Sequence, residues 1–187
     1  MMLIVKMDVK KYFIAIVIPA PVFGRIEEIK QELFKQCNLK GALRSPSHIT
    51  LHRPFEWKEA KEQELIEKLR AFEFGESFDI ALKGFDFFEP RVIYINVVQQ
   101  QLLYDLHEGL KRFAKKELGL LNEVNDLRGF HPHVTVAFRD LKKAVFYGLQ
   151  ENFKSRYFEG DFKYAGFSLL KFEKTWEELY FFKITAP

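Results

Sequence analysis

The sequence predicts an α+β fold of two pseudo-symmetric lobes, in which two antiparallel β-sheets face a central cleft and helices lie on the outside. A His-x-Thr motif with aliphatic neighbours occurs twice, at His48–Thr50 and at His133–Thr135. Each copy follows the same order of strand, helix and loop, and a further helix comes after each. No linker-like segment separates the halves. We therefore expect a single domain over residues 1–187, with one motif strand in each lobe.

The composition is that of an ordinary globular protein, with 48% hydrophobic and 29% charged residues. The formal net charge of +3 is compatible with an anionic substrate but is too small to indicate one. The only cysteine, Cys37, cannot form an internal disulfide, and no apolar run approaches the roughly 20 residues of a membrane span. We expect a cytoplasmic protein that does not associate with membranes.

The first half begins with a strand and a helix. Residues 12–18 (YFIAIVI) are mostly β-branched or aromatic and are followed by Pro19, which predicts a strand. The next apolar residues recur at the spacing of one helical face, at Val22, Ile26, Ile29, Leu33 and Cys37. A helix is therefore predicted over residues 22–37.

A loop then leads to the first motif. The cluster Ser45-Pro46-Ser47 predicts a turn, and the strand that begins at His48 is expected to end at Pro54. Alternate side chains of a strand share a face. His48 and Thr50 should therefore point together toward the cleft, while the aliphatic residues beside them point into the core.

A charged helix and an irregular strand connect the halves. Apolar spacing predicts the helix from about Lys58 to Phe72. A strand follows in which Phe78, Ile80 and Leu82 alternate, and Gly84 then shifts the phase. A glycine at such a break is typical of a β-bulge.

The second half repeats the order of the first. Its predicted elements are a strand at 91–98, a helix from 102 that ends near Gly119, a polar loop at 119–130, the motif strand from His133 and a helix at 141–153. The chain then ends in a predicted hairpin of residues 167–172 and 179–184, with its turn around Thr175.

The two motifs supply matched chemical groups to the cleft. If pseudo-twofold symmetry relates the lobes, His48 and His133 face each other, and a phosphodiester between them can meet one imidazole as base and the other as acid. The hydroxyls of Thr50 and Thr135 can donate to its non-bridging oxygens. Such a site needs no metal and no other cofactor.

The residues around both motifs resemble the paired H-x-[ST]-x signature of the 2H phosphoesterase superfamily. SPSHITLHRPF and FHPHVTVAFRD are most similar to its bacterial branch of LigT-like 2′-5′ RNA ligases and cyclic phosphodiesterases. The resemblance implies a metal-independent and ATP-independent enzyme that opens 2′,3′-cyclic phosphates or joins 2′-5′ bonds in RNA ends or small nucleotides. It also implies that His48 and His133 are catalytic, that Thr50 and Thr135 hold the phosphate, and that no protein partner is required.

Four further residues are candidates for substrate contact. Arg44, in the loop before the first motif, can reach a phosphate or ribose, and Arg53 would lie on the opposite face from the motif if the strand continued past it. Many relatives have an arginine five residues after the second histidine, where this chain has Phe138 and places Arg139 next. In an unbroken strand Arg139 would share the face of the second motif. Phe130 could stack a base, but an ordinary surface or core role explains each of these residues equally well.

Two other functions remain open at the level of sequence. His48 with His52, and His131 with His133, could share strand faces and bind zinc in a hydrolase, although this leaves both threonines unexplained. A non-catalytic protein that binds nucleotides or RNA ends is the second alternative. Otherwise His52 and His131 are expected near the site or at the surface, and His107 on an exposed helix face. Neither a Walker nor a dinucleotide-binding glycine motif occurs.

Overall fold

The computed structural model describes residues 8–121 and 129–184, so part of the polar loop before the second motif, residues 122–128, lies outside the described residues. In chain order the elements are β1 (Val9–Val17), α1 (Val22–Cys37), β2 (His48–Lys58), α2 (Glu62–Arg70), β3 (Asp79–Phe88), β4 (Val92–Val97), α3 (Gln101–Phe113), β5 (His133–Ala137), α4 (Lys143–Lys154), β6 (Glu159–Lys163), β7 (Gly166–Phe172) and β8 (Trp176–Lys183). A short 3₁₀ helix, Ala42–Arg44, precedes β2. None of the described helices is both long enough and apolar enough to cross a membrane.

The strands form two four-stranded antiparallel sheets. Sheet A has the order β2-β1-β7-β8 and sheet B the order β5-β4-β3-β6. The two motif strands, β2 and β5, are therefore edge strands in corresponding places, and they contact each other. This arrangement confirms the predicted α+β fold with two antiparallel sheets and a duplicated motif strand.

The prediction that Pro54 ends the motif strand is wrong, because β2 continues to Lys58. Proline cannot donate a backbone hydrogen bond, and it is therefore tolerated in a sheet mainly on an edge strand or at a bulge. Pro54 meets both conditions. Strand β2 is an edge strand, and its register with β1 shifts between the pairs His52–Ile14 and Phe55–Tyr12.

A second irregularity of β2 lies directly after the first motif. Thr50 is opposite Ala15 of β1, but His52 is opposite the next residue, Ile14, so Leu51 is an extra residue in β2. Such a bulge breaks the alternation of faces. Leu51 and His52 are consequently both buried, each with 1% of its surface exposed.

Helices α1 and α3 each pack on the sheet of the other half. Although α1 connects two strands of sheet A, it contacts β5 and β6 of sheet B, where Arg25 donates from Nη1 to the Glu159 carbonyl at 2.8 Å. Helix α3 in turn contacts β2. Most buried apolar residues of both sheets and all four α-helices consequently belong to one hydrophobic cluster, and Phe13, Ala15 and Leu170 form a smaller second cluster on the other side of sheet A. The amphipathic pattern identified the buried face of each helix but not the sheet that it covers.

The middle and the end of the chain follow the prediction with small changes. The register of β3 against β4 shifts at the predicted bulge, where Gly84 has a φ of 69°. The final hairpin is formed by β7 and β8, and β8 begins at Trp176, earlier than predicted. Strand β6 was not predicted because only Phe162 of its residues is buried, which leaves a weak alternating pattern.

Candidate active site

The two motif strands present the same pattern of burial. His48 and Thr50 are half-buried on one side of β2, and His133 and Thr135 are half-buried on one side of β5. The aliphatic residues between and after them are buried on the other side, at Ile49, Leu51, Val134 and Val136. Because β2 and β5 are neighbouring edges, each sheet contributes one imidazole and one hydroxyl to the same region.

Both motif histidines are oriented by the same kind of hydrogen bond. Nδ1 of His48 lies 2.6 Å from the carbonyl oxygen of Pro46, and Nδ1 of His133 lies 2.7 Å from that of His131. A carbonyl oxygen only accepts, so each Nδ1 carries the proton in this bond. The basic lone pair of each neutral ring is therefore on Nε2, and the tautomers of the two half-sites match.

The electrostatic environment of His48 favours its neutral form. Burial lowers the pKa of His48 to about 4, and the positive charges of Lys30 and His133 act in the same direction. Because β2 and β5 contact each other, a positive charge on His133 disfavours a second positive charge on His48. At neutral pH His48 is uncharged and can accept a proton at Nε2.

Aromatic rings extend from His48 along the same side of sheet A. The ring of Phe13 lies 4.8 Å from the His48 ring, and Trp176 lies 4.7 Å from Phe13 and 5.1 Å from Phe172. We call Phe13, Trp176 and Phe172 the aromatic row. The exposed Arg44 lies at its far end, with its guanidinium carbon 5.2 Å from the Phe172 ring centre.

A different set of rings surrounds His133 in sheet B. Tyr94 and Phe88 lie 5.0 Å and 5.1 Å from it, and the Tyr94 hydroxyl is 3.1 Å from Nε2 of His131. Sequence reasoning missed Tyr94 as a site residue. The signal for Tyr94 was its place between two isoleucines of β4, which puts it on the face opposite the core and beside Thr135.

The register of β2 places Arg53 on the same side as the first motif, whereas an unbroken strand would place it on the opposite face. The two bulges of β2 leave Arg53 and Pro54 opposite Phe13, the residue whose ring packs on His48. Arg53 is exposed there. The extra residue at Leu51 shifts the alternation of faces before Arg53, and this shift accounts for its side of the strand.

Arg139 does not extend the second motif strand. Strand β5 ends at Ala137, and Arg139 adopts the left-handed conformation with a φ of 65°. Its side chain is exposed, and its guanidinium carbon lies 5.0 Å from the ring of Phe138. The condition of an unbroken strand, under which Arg139 would share the face of the second motif, is therefore not met, because a turn follows β5 immediately.

Phe130 stacks on an imidazole of the protein itself. Its ring lies 3.7 Å from that of His107 with only 4° between the planes, and Tyr104 meets it edge-on at 5.5 Å. His107 is consequently 7% exposed, so the prediction that it lies on an exposed helix face is wrong. One face of Phe130 is thus occupied, and the stack belongs to the packing of α3.

The segments beside the two motifs are joined by a contact that we call the interlobe clasp (Lys40, Gly41, Phe138 and Asp140). Oδ2 of Asp140 accepts hydrogen bonds from the backbone N–H of Lys40 at 2.6 Å and of Gly41 at 3.0 Å. A Cβ atom on Gly41 would lie 2.3 Å from the Phe138 carbonyl oxygen, so only glycine fits this close approach. The interlobe clasp ties the loop before β2 to the turn after β5.

The zinc alternative required His48 and His52 to share a strand face. The bulge at Leu51 instead directs His52 into the core, where its Nδ1 donates to the Arg53 carbonyl at 2.8 Å. These two imidazoles therefore cannot chelate one ion. Over residues 8–121 and 129–184, no three His, Cys, Asp or Glu side chains come together as metal ligands.

Comparison with known proteins relates most of the chain to one family. The family model of the 2′-5′ RNA ligase superfamily matches residues 18–176. A Geobacillus sp. (strain WCH70) protein that carries the name of a phosphoesterase is 33% identical over 126 residues, which are 65% of this chain and 67% of that protein.

Two solved structures share the fold over nearly the whole chain. E. coli LigT, crystallised with 3′-AMP, has a TM-score of 0.68 at 20% identity over 96% of this chain and 100% of that one. The protein TT0787 of Thermus thermophilus has a TM-score of 0.62 at 20% identity over 94% of this chain and 98% of that one. At this level of identity, the likeness establishes the architecture.

Proposed function

Since the chain belongs to the 2′-5′ RNA ligase superfamily, we propose that it is a phosphoesterase of RNA ends or small nucleotides. Its substrates are 2′,3′-cyclic phosphates or 2′-5′ phosphodiesters. His48 and His133 act as the acid/base pair, Thr50 and Thr135 hold the phosphate, and no metal takes part. The observation that carries the proposal is the matched pair of half-sites on adjoining strands, each with its Nδ1 held by a carbonyl.

The same groups account for opening of a 2′,3′-cyclic phosphate. One Nε2 removes a proton from the attacking water as the new P–O bond forms. The Nε2–H of the other imidazole, which is protonated, supplies a proton to the ribose oxygen as its bond to phosphorus breaks. Hydroxyls from both threonines donate to the non-bridging oxygens, where negative charge increases in the transition state. A 2′-phosphate results when the 3′ oxygen leaves, and a 2′-5′ bond results in the same way when the 5′ hydroxyl of a second RNA end attacks the cyclic phosphate in place of water.

The aromatic row supports a nucleotide as the substrate. Trp176 is half-buried and lies one ring beyond Phe13, which itself contacts His48. A base attached to a phosphate at His48 can stack on such a ring, since stacking does not require a particular base. E. coli LigT, which shares this fold, was crystallised with the small nucleotide 3′-AMP.

Kinetics on 2′,3′-cyclic AMP test the proposal. Wild-type protein is expected to release 2′-AMP in the presence of EDTA, and His48→Ala or His133→Ala is expected to lower kcat by at least about 100-fold while 2′-AMP still binds. His107→Gln is the matched control, because this histidine stacks on Phe130 in the packing of α3.

Three results would contradict the proposal. Wild-type protein that binds 2′-AMP but turns over neither cyclic nor 2′-5′-linked substrates is a binding protein. Activity that EDTA abolishes requires a metal. Activity that survives the loss of either motif histidine requires a different catalytic group.

A further inference from the structure

A carboxylate lies beside the aromatic row, on the same side of sheet A as the first motif. Glu178 of β8 is opposite Leu170 of β7, which is opposite Phe13 of β1. Residues that are directly opposite each other in a sheet point to the same side. Glu178 therefore lies on the side where Phe13 packs on His48, two residues after Trp176. The carboxylate of Glu178 and the ring of Trp176 are neighbours on one face of β8.

A buried hydroxyl holds the Glu178 carboxylate in place. Oγ of Ser168 donates to Oε2 of Glu178 at 2.6 Å. Ser168 is 1% exposed and lies next to the buried apolar residues Ala15 and Leu170. Burying a hydroxyl in apolar surroundings costs free energy unless it is hydrogen-bonded, so apolar packing does not account for a serine here. The bond from Ser168 fixes the direction of a glutamate that is otherwise exposed.

The Glu178 carboxylate is about one nucleotide away from the hydroxyl that holds the phosphate in the proposed function. Ser168 is opposite Ala15, and Ala15 is opposite Thr50. Two strand spacings, or about 10 Å, therefore separate Thr50 from Ser168. Because Glu178 is bonded to Ser168, its carboxylate lies at about this distance from Thr50. A nucleotide can span it, from a phosphate on its ribose to the Watson–Crick edge of its base.

A carboxylate at the edge of a base distinguishes the four bases by their hydrogen-bond donors. It only accepts hydrogen bonds and has about four acceptor positions, of which Ser168 uses one. Guanine presents two adjacent donors, N1–H and N2–H, which can bind both carboxylate oxygens. Adenine and cytosine present one donor beside the lone pair of a ring nitrogen, and uracil presents one donor between two carbonyl oxygens. Charge-assisted bidentate hydrogen bonds are the stronger kind, so the carboxylate favours guanine.

We infer that Glu178 is a specificity-determining residue that selects guanine as the base stacked on Trp176. The inference rests on the proposed function, because it takes the phosphate to be at Thr50. The preferred substrates are then guanosine 2′,3′-cyclic phosphate and RNA ends whose 3′-terminal nucleotide is guanosine. Stacking on a ring accepts any base, whereas a hydrogen bond to the Watson–Crick edge of an unpaired base distinguishes one base from another.

Calorimetric binding of 2′-GMP, 2′-AMP, 2′-CMP and 2′-UMP tests the inference without requiring activity. The wild type should bind 2′-GMP at least about 10-fold more tightly than each of the others, since one bidentate contact discriminates between bases by about this factor. Glu178→Gln replaces one acceptor oxygen with an NH₂ donor, which matches the donor and acceptor of adenine. This variant should bind 2′-GMP at least about 10-fold more weakly and 2′-AMP no more weakly than the wild type.

Two further variants separate the position of Glu178 from its charge. Glu177→Gln is the matched control, because it removes the same charge from the adjacent exposed residue, which faces the other side of β8. It should leave the preference for 2′-GMP unchanged. Ser168→Ala leaves the charge of Glu178 in place but removes the bond that directs it, so the preference should fall several-fold.

The kcat/KM values for the four 2′,3′-cyclic nucleotides distinguish this inference from the proposed function. Turnover with the same preference for guanine supports both. Equal binding and equal turnover of all four overturn the role of Glu178 and leave the proposed function in place. Preferential binding of 2′-GMP without any turnover contradicts the proposed function but not the recognition of guanine. An equal loss of affinity for all four nucleotides in Glu178→Gln would indicate a contact with ribose and would overturn the inference.

Discussion

Replacing Asp140 with alanine is expected to reduce stability and activity together, because its carboxylate closes the interlobe clasp. One oxygen accepts two backbone N–H groups, at 2.6 Å and 3.0 Å, and a hydrogen bond to a charged group contributes about 1.5–3 kcal/mol when protected from water. Asp140 is exposed, so the two bonds together should contribute about 1–3 kcal/mol. The activity should fall because the loop before His48 is no longer tied to the turn after β5.

Urea unfolding and kcat/KM on 2′,3′-cyclic AMP measure the two effects. Asp161→Ala removes an exposed carboxylate from β6 of sheet B and should change the unfolding free energy by less than about 0.5 kcal/mol. Gly41→Ala tests the same contact from the other side, since its Cβ would lie 2.3 Å from the Phe138 oxygen. Loss of stability with unchanged kcat/KM would show that the interlobe clasp does not align the half-sites. No change in either quantity would refute the reasoning altogether.

Three further predictions concern the groups that hold the phosphate, the ring that stacks on the nucleobase and the pH dependence of stability. Thr50→Val and Thr135→Val should each lower kcat by about 100-fold in steady-state assays with less effect on KM, since the hydroxyls act on the transition state; unchanged kcat would exclude that role. Trp176→Ala should raise KM for cyclic nucleotides and remove the quenching of tryptophan fluorescence by 2′-AMP. Quenching that remains in Trp176→Ala but disappears in Trp57→Phe would show that the nucleobase binds elsewhere. Burial lowers the pKa of His107 below its ordinary 6.5, so the unfolded chain binds protons that the folded protein does not, and stability falls as the pH drops below about 6.5. His107→Phe should reduce this slope in urea unfolding, and an unchanged slope would contradict the assignment.

Local patterns predicted the motif strands and most of the helices. His48 and Thr50 share a face because alternation along a strand is fixed by the backbone, and the same holds for His133 and Thr135. The order of elements around each motif then predicted two related half-sites. These features depend on short stretches of sequence, so no contact between distant segments was needed to identify them.

Pairing between strands determined what local patterns could not. Arg53 lies on a different face from the one that simple alternation predicts, because β2 contains extra residues that have no partner in β1. The sequence of β2 alone does not show where such unpaired residues occur. Arg139 does not continue the alternation of the second motif strand, because β5 ends two residues before it. In both cases the register or length of a strand determines the position of the arginine, rather than its spacing from the motif.

Contacts between distant segments account for the remaining differences. His107 is buried because Phe130, from a later loop, covers its ring. Lys30 interrupts an apolar helix face because it pairs with Glu27 and reaches the turn before β2. Neither environment follows from helical periodicity, which predicts which face is buried but not the polar groups that meet it.

A crystal structure of the protein with inorganic phosphate tests most directly the central claim that both half-sites act on one phosphate. The account predicts a single phosphate within about 3 Å of Nε2 of His48 and Nε2 of His133, with the hydroxyls of Thr50 and Thr135 donating to its oxygens. A phosphate held by only one of the two histidines, or Nε2 atoms more than about 10 Å apart, would contradict it.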